Sequence, residues 1–178
     1  MFSVGDKVMH CTHGAGVITE KKEMQITETL HCYLVIQLLG SDSTLMVPIE
    51  QAGQRLRQAC KRAALRRLLT SGLSGEPEGL PQDYRERRKH VEEKLKTGET
   101  KEWVGVVRDL TDRDEQKRLS MGDRQLLDRA VDLLSGELAL AHGVPLEDAG
   151  PRLRSMVERR HELAHRQVES SDRWRTLG

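Results

Sequence analysis

Three stretches of this chain carry residue types that could do chemistry. HELAH, His161 to His165, fits H-E-x-x-H. On a helix that spacing stacks two imidazoles one turn apart, with Glu162 placed to activate a metal-bound water. A catalytic zinc needs a third protein ligand, and the next acid, Glu169, lies one turn further along the same polar stretch. The flanks VERR and RQVES describe a solvated helix rather than the wall of a cleft. His10, Cys11, His13, His31 and Cys32 form a second group. Neighbouring residues on a strand point to opposite faces, so the pairs His10/Cys11 and His31/Cys32 cannot all converge on one ion. Packed thiols are the better reading. Gly14-Ala15-Gly16 lacks the following Lys-Ser/Thr and the helix of a phosphate loop, so it reads as a tight turn. No catalytic residue, metal or cofactor is assigned, and the chain is expected not to be an enzyme.

The third stretch is LPQDYRERRKH, residues 80–90. Tyr84, one of only five aromatic residues, stands at a helix start beside Arg85, Arg87, Arg88 and Lys89. Cations neutralise phosphates, and an amphipathic ring can stack on a base or enter an opened base step. The competing reading has Tyr84 packed against a neighbouring helix with the arginines in solvent. Composition alone favours that packing.

The charge distribution singles out the same region. Residues 57–96 carry eleven Lys/Arg against six Asp/Glu, inside a chain whose net charge is only +1. A local basic segment attracts polyanions without making the whole protein basic. Charged residues make up 32% and aromatics 3% of the 178 residues, so Leu, Val and Ala must fill the core. No run approaches the roughly 18 apolar residues of a membrane span, and the start MFSVGDKV is unlike a signal peptide. Three cysteines without CxxC spacing fit a reducing cytoplasm.

These residues are positioned by two kinds of element. KVMH, AGVITE, EMQITE, CYLVIQLL and TLMVP read as five short strands, a small bent antiparallel sheet or open barrel. From about residue 54 the period becomes helical, with Cys60, Ala63, Ala64, Leu68 and Leu69 on a first helix broken by TSGLSGEPEGLP (70–81). A second helix is expected from near Pro81 to Thr97, ending at Gly98. Trp103, Val106, Val107 and Leu110 form the stripe of a third, with Trp103 as core anchor. A fourth starts at Ser120 with Asp123 three residues later, and its seam is Leu127, Val131, Leu134, Leu138 and Ala141. A last one begins near Pro145, is interrupted at Gly150–Pro151, and resumes through Leu153, Met156, Val157 and Leu163. Trp174 falls in a polar tail. The fold class is α+β: residues 1–54 as a small sheet domain, 55–166 as an all-α domain, and 167–178 as a disordered tail.

The order of FSVGDKVMHCTHGAGVI, YLVIQL, LMVPIE, VVRDL, RLSMGDRQLLDRA and LLSGELALA resembles the CarD/CdnL family of bacterial transcription regulators, over about residues 2–141. The resemblance implies a Tudor-like N-terminal domain that docks on the RNA polymerase β subunit. It further implies a helical domain that touches promoter DNA, weakly and without sequence preference, at the upstream fork of the transcription bubble. Family members place a Trp near the start of the corresponding helix, and Tyr84 stands there in this chain. The same resemblance puts Arg87, Lys89, Arg113 and Arg124 on the DNA face, joined by Arg85 and Arg88 from the basic run. Met24 and Met46 stand where some members use arginines against polymerase, Glu86 where some are basic, and HCTHG in place of a Tyr-Pro turn. The resulting expectation is a monomeric, cytoplasmic regulator that stabilises the open promoter complex. The alternative is a polymerase-binding adaptor without productive DNA contact.

Overall fold

A computed structural model describes residues 1–26 and 29–159. Five strands, β1 (Lys7–His10), β2 (Gly14–Ile26), β3 (Thr29–Leu38), β4 (Thr44–Pro48) and β5 (Leu56–Gln58), form one open antiparallel sheet in the order β4-β3-β2-β1-β5. A short helix, α1 (Ile49–Arg55), links β4 to β5. Then follow α2 (Arg62–Ser74), α3 (Tyr84–Lys96), α4 (Thr100–Gln116) and α5 (Met121–His142). A sixth helix, α6, runs over 146–159, to the end of the described residues. The class is α+β, as the sequence indicates.

The strands differ from the sequence reading in an instructive way. AGVITE and EMQITE are not two strands but one, β2, with a bulge between Ile18 and Glu20. A bulge inserts an unpaired residue and bends the strand, which interrupts the alternation that pattern reading follows. The fifth strand is instead Leu56–Gln58, paired with β1. The sheet therefore continues past residue 54, and a cut there would strip β1 of a neighbour. Cys60 precedes α2 rather than lying in it, and α2 extends through the TSGLS segment to Ser74.

β1 joins the two halves of the molecule. Val8 packs into the inner core with Ile18, Leu34, Ile36, Val47, Ala52 and Leu56. Met9, on the opposite face, packs with Ala15 into the helical core of Trp103, Val107, Leu110 and Leu134. Both are 1% exposed, which is why KVMH carries two successive large apolar residues: the strand is buried on both faces. α5 reaches this side of the sheet because Gly136 has no side chain; a Cβ there would lie 2.7 Å from that of Ala15. Trp103 is fully buried, and its indole N–H donates to the Leu95 carbonyl at 3.1 Å, as the anchor reading requires.

The same seam holds a buried ion pair. Glu137 on α5 is fully buried and accepts two bonds from Arg57 of β5, at 2.6 and 2.9 Å. It accepts two more, from the Cys60 amide at 2.9 Å and the Thr100 hydroxyl at 2.8 Å. The guanidinium lies 5.0 Å from the centre of the Trp103 ring. Such a pair offsets its desolvation only when the remaining lone pairs are occupied, and here they are.

α5 begins as the sequence indicates, with Ser120 accepting from the Asp123 amide at 3.1 Å, and ends on Gly143 at φ 66°. α6 passes through Gly150–Pro151 without the expected interruption. Ala149 and Leu153, both fully buried, hold it against the core on either side of the proline.

Candidate nucleic-acid interface and docking face

α3 starts at Tyr84 because Asp83 caps it. The Asp83 carboxylate accepts from the Arg85 and Glu86 amides at 2.9 and 3.0 Å, filling two of the helix's otherwise orphan donors. Tyr84 thus sits on the first turn and stays 40% exposed. Its hydroxyl lies over the first turn of α5 at Gly122, where any Cβ would overlap it. Arg88 donates to that hydroxyl at 3.4 Å. One edge of the ring is seated and the rest faces outward.

The charge run divides sharply around the ring. Arg87 is 4% exposed, and its Nε and Nη2 donate to the two oxygens of Asp123 at 3.1 and 2.9 Å. Its Nη1 donates to the carbonyls of Pro81 and Gln82 at 3.0 and 2.9 Å. The assignment of Arg87 to the DNA face is therefore corrected: a buried guanidinium with every nitrogen engaged has nothing left to offer a phosphate. It fastens α3 to α5 and lies 5.7 Å from the centre of the Tyr84 ring. Burial pushes the Asp123 carboxyl up, but the bonds from Arg87 and Ser120 and the charges of Arg87 and Arg113 bring it below its ordinary value.

Of the other cations, Arg85, Arg88, Lys89 and Arg124 are exposed and differ in how free they are. Arg85 has no ion-pair partner among the described residues, and Lys89 has only Glu93 at 4.0 Å. Arg88 pairs with Glu92 at 2.8 Å, and Arg124 with both oxygens of Asp114 at 3.1 and 2.9 Å. Exposed pairs of this kind are worth little and exchange readily for another anion. Arg113 is half-buried, on the wall of a cavity that also contains Asp109 and Asp112. α3 thus carries Tyr84, Arg85, Arg88 and Lys89 on its exposed surface, Arg88 bonded to the ring hydroxyl, while Arg124 on the first turn of α5 is paired across to α4. Sequence reading missed Gly122 and Asp123 as parts of this arrangement.

A second surface lies on the sheet. Strand register sets Met24 opposite His31 and Met46 opposite Val35. The face they share with Tyr33 is the reverse of the one carrying Leu34, Ile36 and Val47. Met24 and Met46 are 37% and 38% exposed, roughly 13 Å apart along β3, with Tyr33 between them. Among the described residues β4 is the last strand on this side, so its outer edge has backbone groups without a strand partner there.

Among the described residues the metal candidates do not assemble. His10 Nδ1 accepts from the Thr12 and His13 amides at 3.0 and 3.1 Å, leaving it no lone pair for an ion. Cys11, Cys32 and Cys60 are free thiols. Among the described residues no group of three His, Cys, Asp or Glu could hold a metal. HELAH and Trp174 lie outside the described residues. No described helix is long and apolar enough to cross a membrane.

Comparison with known proteins matches both halves of the chain. Residues 2–60 match the model of the CarD-like/TRCF RID domain, and residues 69–154 that of the CarD C-terminal domain. A Bacillus subtilis (strain 168) protein named "Putative transcription factor YdeB" is 32% identical over 145 residues, covering 81% of this chain and 94% of its own.

Proposed function

The chain belongs to the CarD-like family of transcription factors, and from that premise we propose that it regulates initiation by holding RNA polymerase and the opened promoter together. In this reading the sheet docks on the polymerase β subunit through the free edge of β4 and the face carrying Met24 and Met46. Edge strands accept a partner strand through main-chain bonds, and side chains beside the edge set the choice of partner. The helices meet DNA through Tyr84, with Arg85, Arg88, Lys89, Arg113 and Arg124 against phosphates. The protein acts as a monomer, in the cytoplasm, and without chemistry of its own.

The observation that carries the DNA half is the setting of Tyr84: an exposed ring with its hydroxyl edge on Gly122, flanked by exposed cations. A ring that meets an unstacked step only in opened DNA favours the open complex by its differential affinity. Tyr84→Ala should shorten open-complex lifetime by roughly 5- to 150-fold, the range of about 1–3 kcal/mol for a base–aromatic contact. Tyr84→Trp should match or exceed the unmodified chain. A lifetime unaltered in Tyr84→Ala, with a lowered melting temperature, would reduce the ring to a packing contact.

One observation favours a polymerase adaptor without productive DNA contact. Arg87 is withdrawn into the fold, while Arg88 and Arg124 each have a carboxylate already in place. Duplex binding by the full chain separates the readings, since the adaptor would show no salt-dependent affinity.

A further inference from the structure

A cavity of about 430 Å³ opens between the β1–β2 turn, α5 and α6, and shares no lining residue with either surface described above. Three observations there point to a ligand. Ser135, in the middle of α5, is 3% exposed, and its Oγ has no hydrogen-bond partner. Buried hydroxyls in folded proteins are nearly always satisfied. Arg129 and Arg154, both solvent-exposed, line the same cavity, and neither has an ion-pair partner within 4 Å among the described residues.

Gly150 is the third. It lies inside a helix, where glycine is disfavoured relative to alanine. Gly136 and Gly14, on the same wall, have reasons to be glycine, a close approach to Ala15 and a φ of 80° respectively. Gly150 has neither: its φ is not in the left-handed region, and the nearest atom to an added Cβ is Ser135 Oγ, at 3.9 Å. What a side chain at 150 would do is fill the space above that hydroxyl.

We infer that this cavity is a binding site for a small organic phosphate. Two unpaired guanidiniums match the oxygens of a phosphomonoester. Ser135 supplies a donor, and Asp132, the one acid on the wall, can accept from a hydroxyl of the ligand body. Leu133 gives that body an apolar side. The volume suits a single sugar phosphate or nucleotide. Because the walls come from both the sheet and the helices, occupancy ties the two together and raises the melting temperature.

The test titrates the full chain with ribose 5-phosphate and with AMP, read by calorimetry and by melting temperature. Inorganic phosphate and citrate are the comparison anions. Saturable binding of at least one ester is expected, with Kd between about 10 μM and 1 mM, and inorganic phosphate at least about tenfold weaker. The double variant Arg129→Gln/Arg154→Gln should weaken binding by about tenfold or more, and Arg152→Gln, on α6 but off the cavity wall, should not. Gly150→Leu should abolish binding. Gly150→Ala, whose methyl meets nothing closer than 3.9 Å, keeps the fold and should weaken binding. The site is overturned if neither ester saturates below about 10 mM. Binding unaffected by the arginine and Gly150 variants also overturns it. Inorganic phosphate as tight as the esters means adventitious anion binding, and tighter citrate overturns the phosphate class.

Discussion

Two places in this molecule use the same trio of groups to opposite ends. At the sheet–helix seam, Arg57 donates to both oxygens of Glu137 and lies 5.0 Å from the Trp103 ring. At the α3–α5 seam, Arg87 donates to both oxygens of Asp123 and lies 5.7 Å from the Tyr84 ring. Arginine suits both, because its planar fork meets a carboxylate with one edge while its face lies against an aromatic. The difference is the fate of the ring. Trp103 is sealed in the core, whereas Tyr84 keeps 40% of its surface outside. The first trio closes a structure; the second supports a ring from beneath and leaves it available.

That contrast can be broken by mutation. Glu137→Ala strands Arg57 and removes acceptors from Cys60 and Thr100. It should cost about 3–5 kcal/mol, a fall of roughly 10 °C or more in melting temperature. Arg87→Ala leaves Asp123 with Ser120 alone and should cost about 3 kcal/mol in denaturant unfolding. It should also shorten open-complex lifetime through the lost support of Tyr84, yet leave the salt dependence of DNA binding untouched. A slope shallowed by one unit in Arg87→Ala would return that residue to the interface.

Acid should weaken both trios together. Burial pushes the Glu137 carboxyl up, but the bonds and charge of Arg57, with the Cys60 amide and Thr100, bring it below its ordinary 4.5. Asp123 is likewise lowered from 3.8. The unfolded chain therefore takes up these protons first, so the stability they give is full above about pH 5 and lost as pH falls through the folded values. His10 acts earlier in the same direction. Burial, then the charges of His13 and Arg55, hold its imidazole neutral below the ordinary 6.5, so its contribution declines as pH falls under about 6.5. Denaturant midpoints at pH 7, 5.5 and 4 should fall in that order. The smallest effect is expected at the most exposed cations: Arg85→Ala and Lys89→Ala should each shallow the salt slope of duplex binding by about one unit, with melting temperature unchanged.

Much of the fold was legible from alternation and period: the apolar stripe of α4, the Ser120 cap and four of the five strands. α1 and β5 were not, because seven residues (IEQAGQR) and three (LRQ) are too short to show a period. The role of Arg87 was hidden by its company, since a charge run says nothing about which member turns inward. Yet the signal was present. Arg87, Val91 and Leu95 are spaced by four and form the buried stripe of α3. On α5, Asp123, Leu126 and Ala130, spaced by three and four, form a buried stripe, and Glu137 lies on its continuation beside Leu134 and Leu138. An arginine and a carboxylate each riding on an apolar stripe is the pattern of a buried pair. No such pattern announced Gly122, whose contact with Tyr84 depends on how two helices cross.

α5 carries a carboxylate from each trio, Asp123 near its start and Glu137 fourteen residues on. At 1.5 Å per residue they stand about 21 Å apart on one rigid rod. Each carboxylate is clamped to a different part of the molecule, one to the helix bearing Tyr84 and the other to the sheet. The rod is therefore a ruler. If the sheet is held on the enzyme, as proposed, the distance from that hold to the ring is set by this one helix rather than by flexible chain.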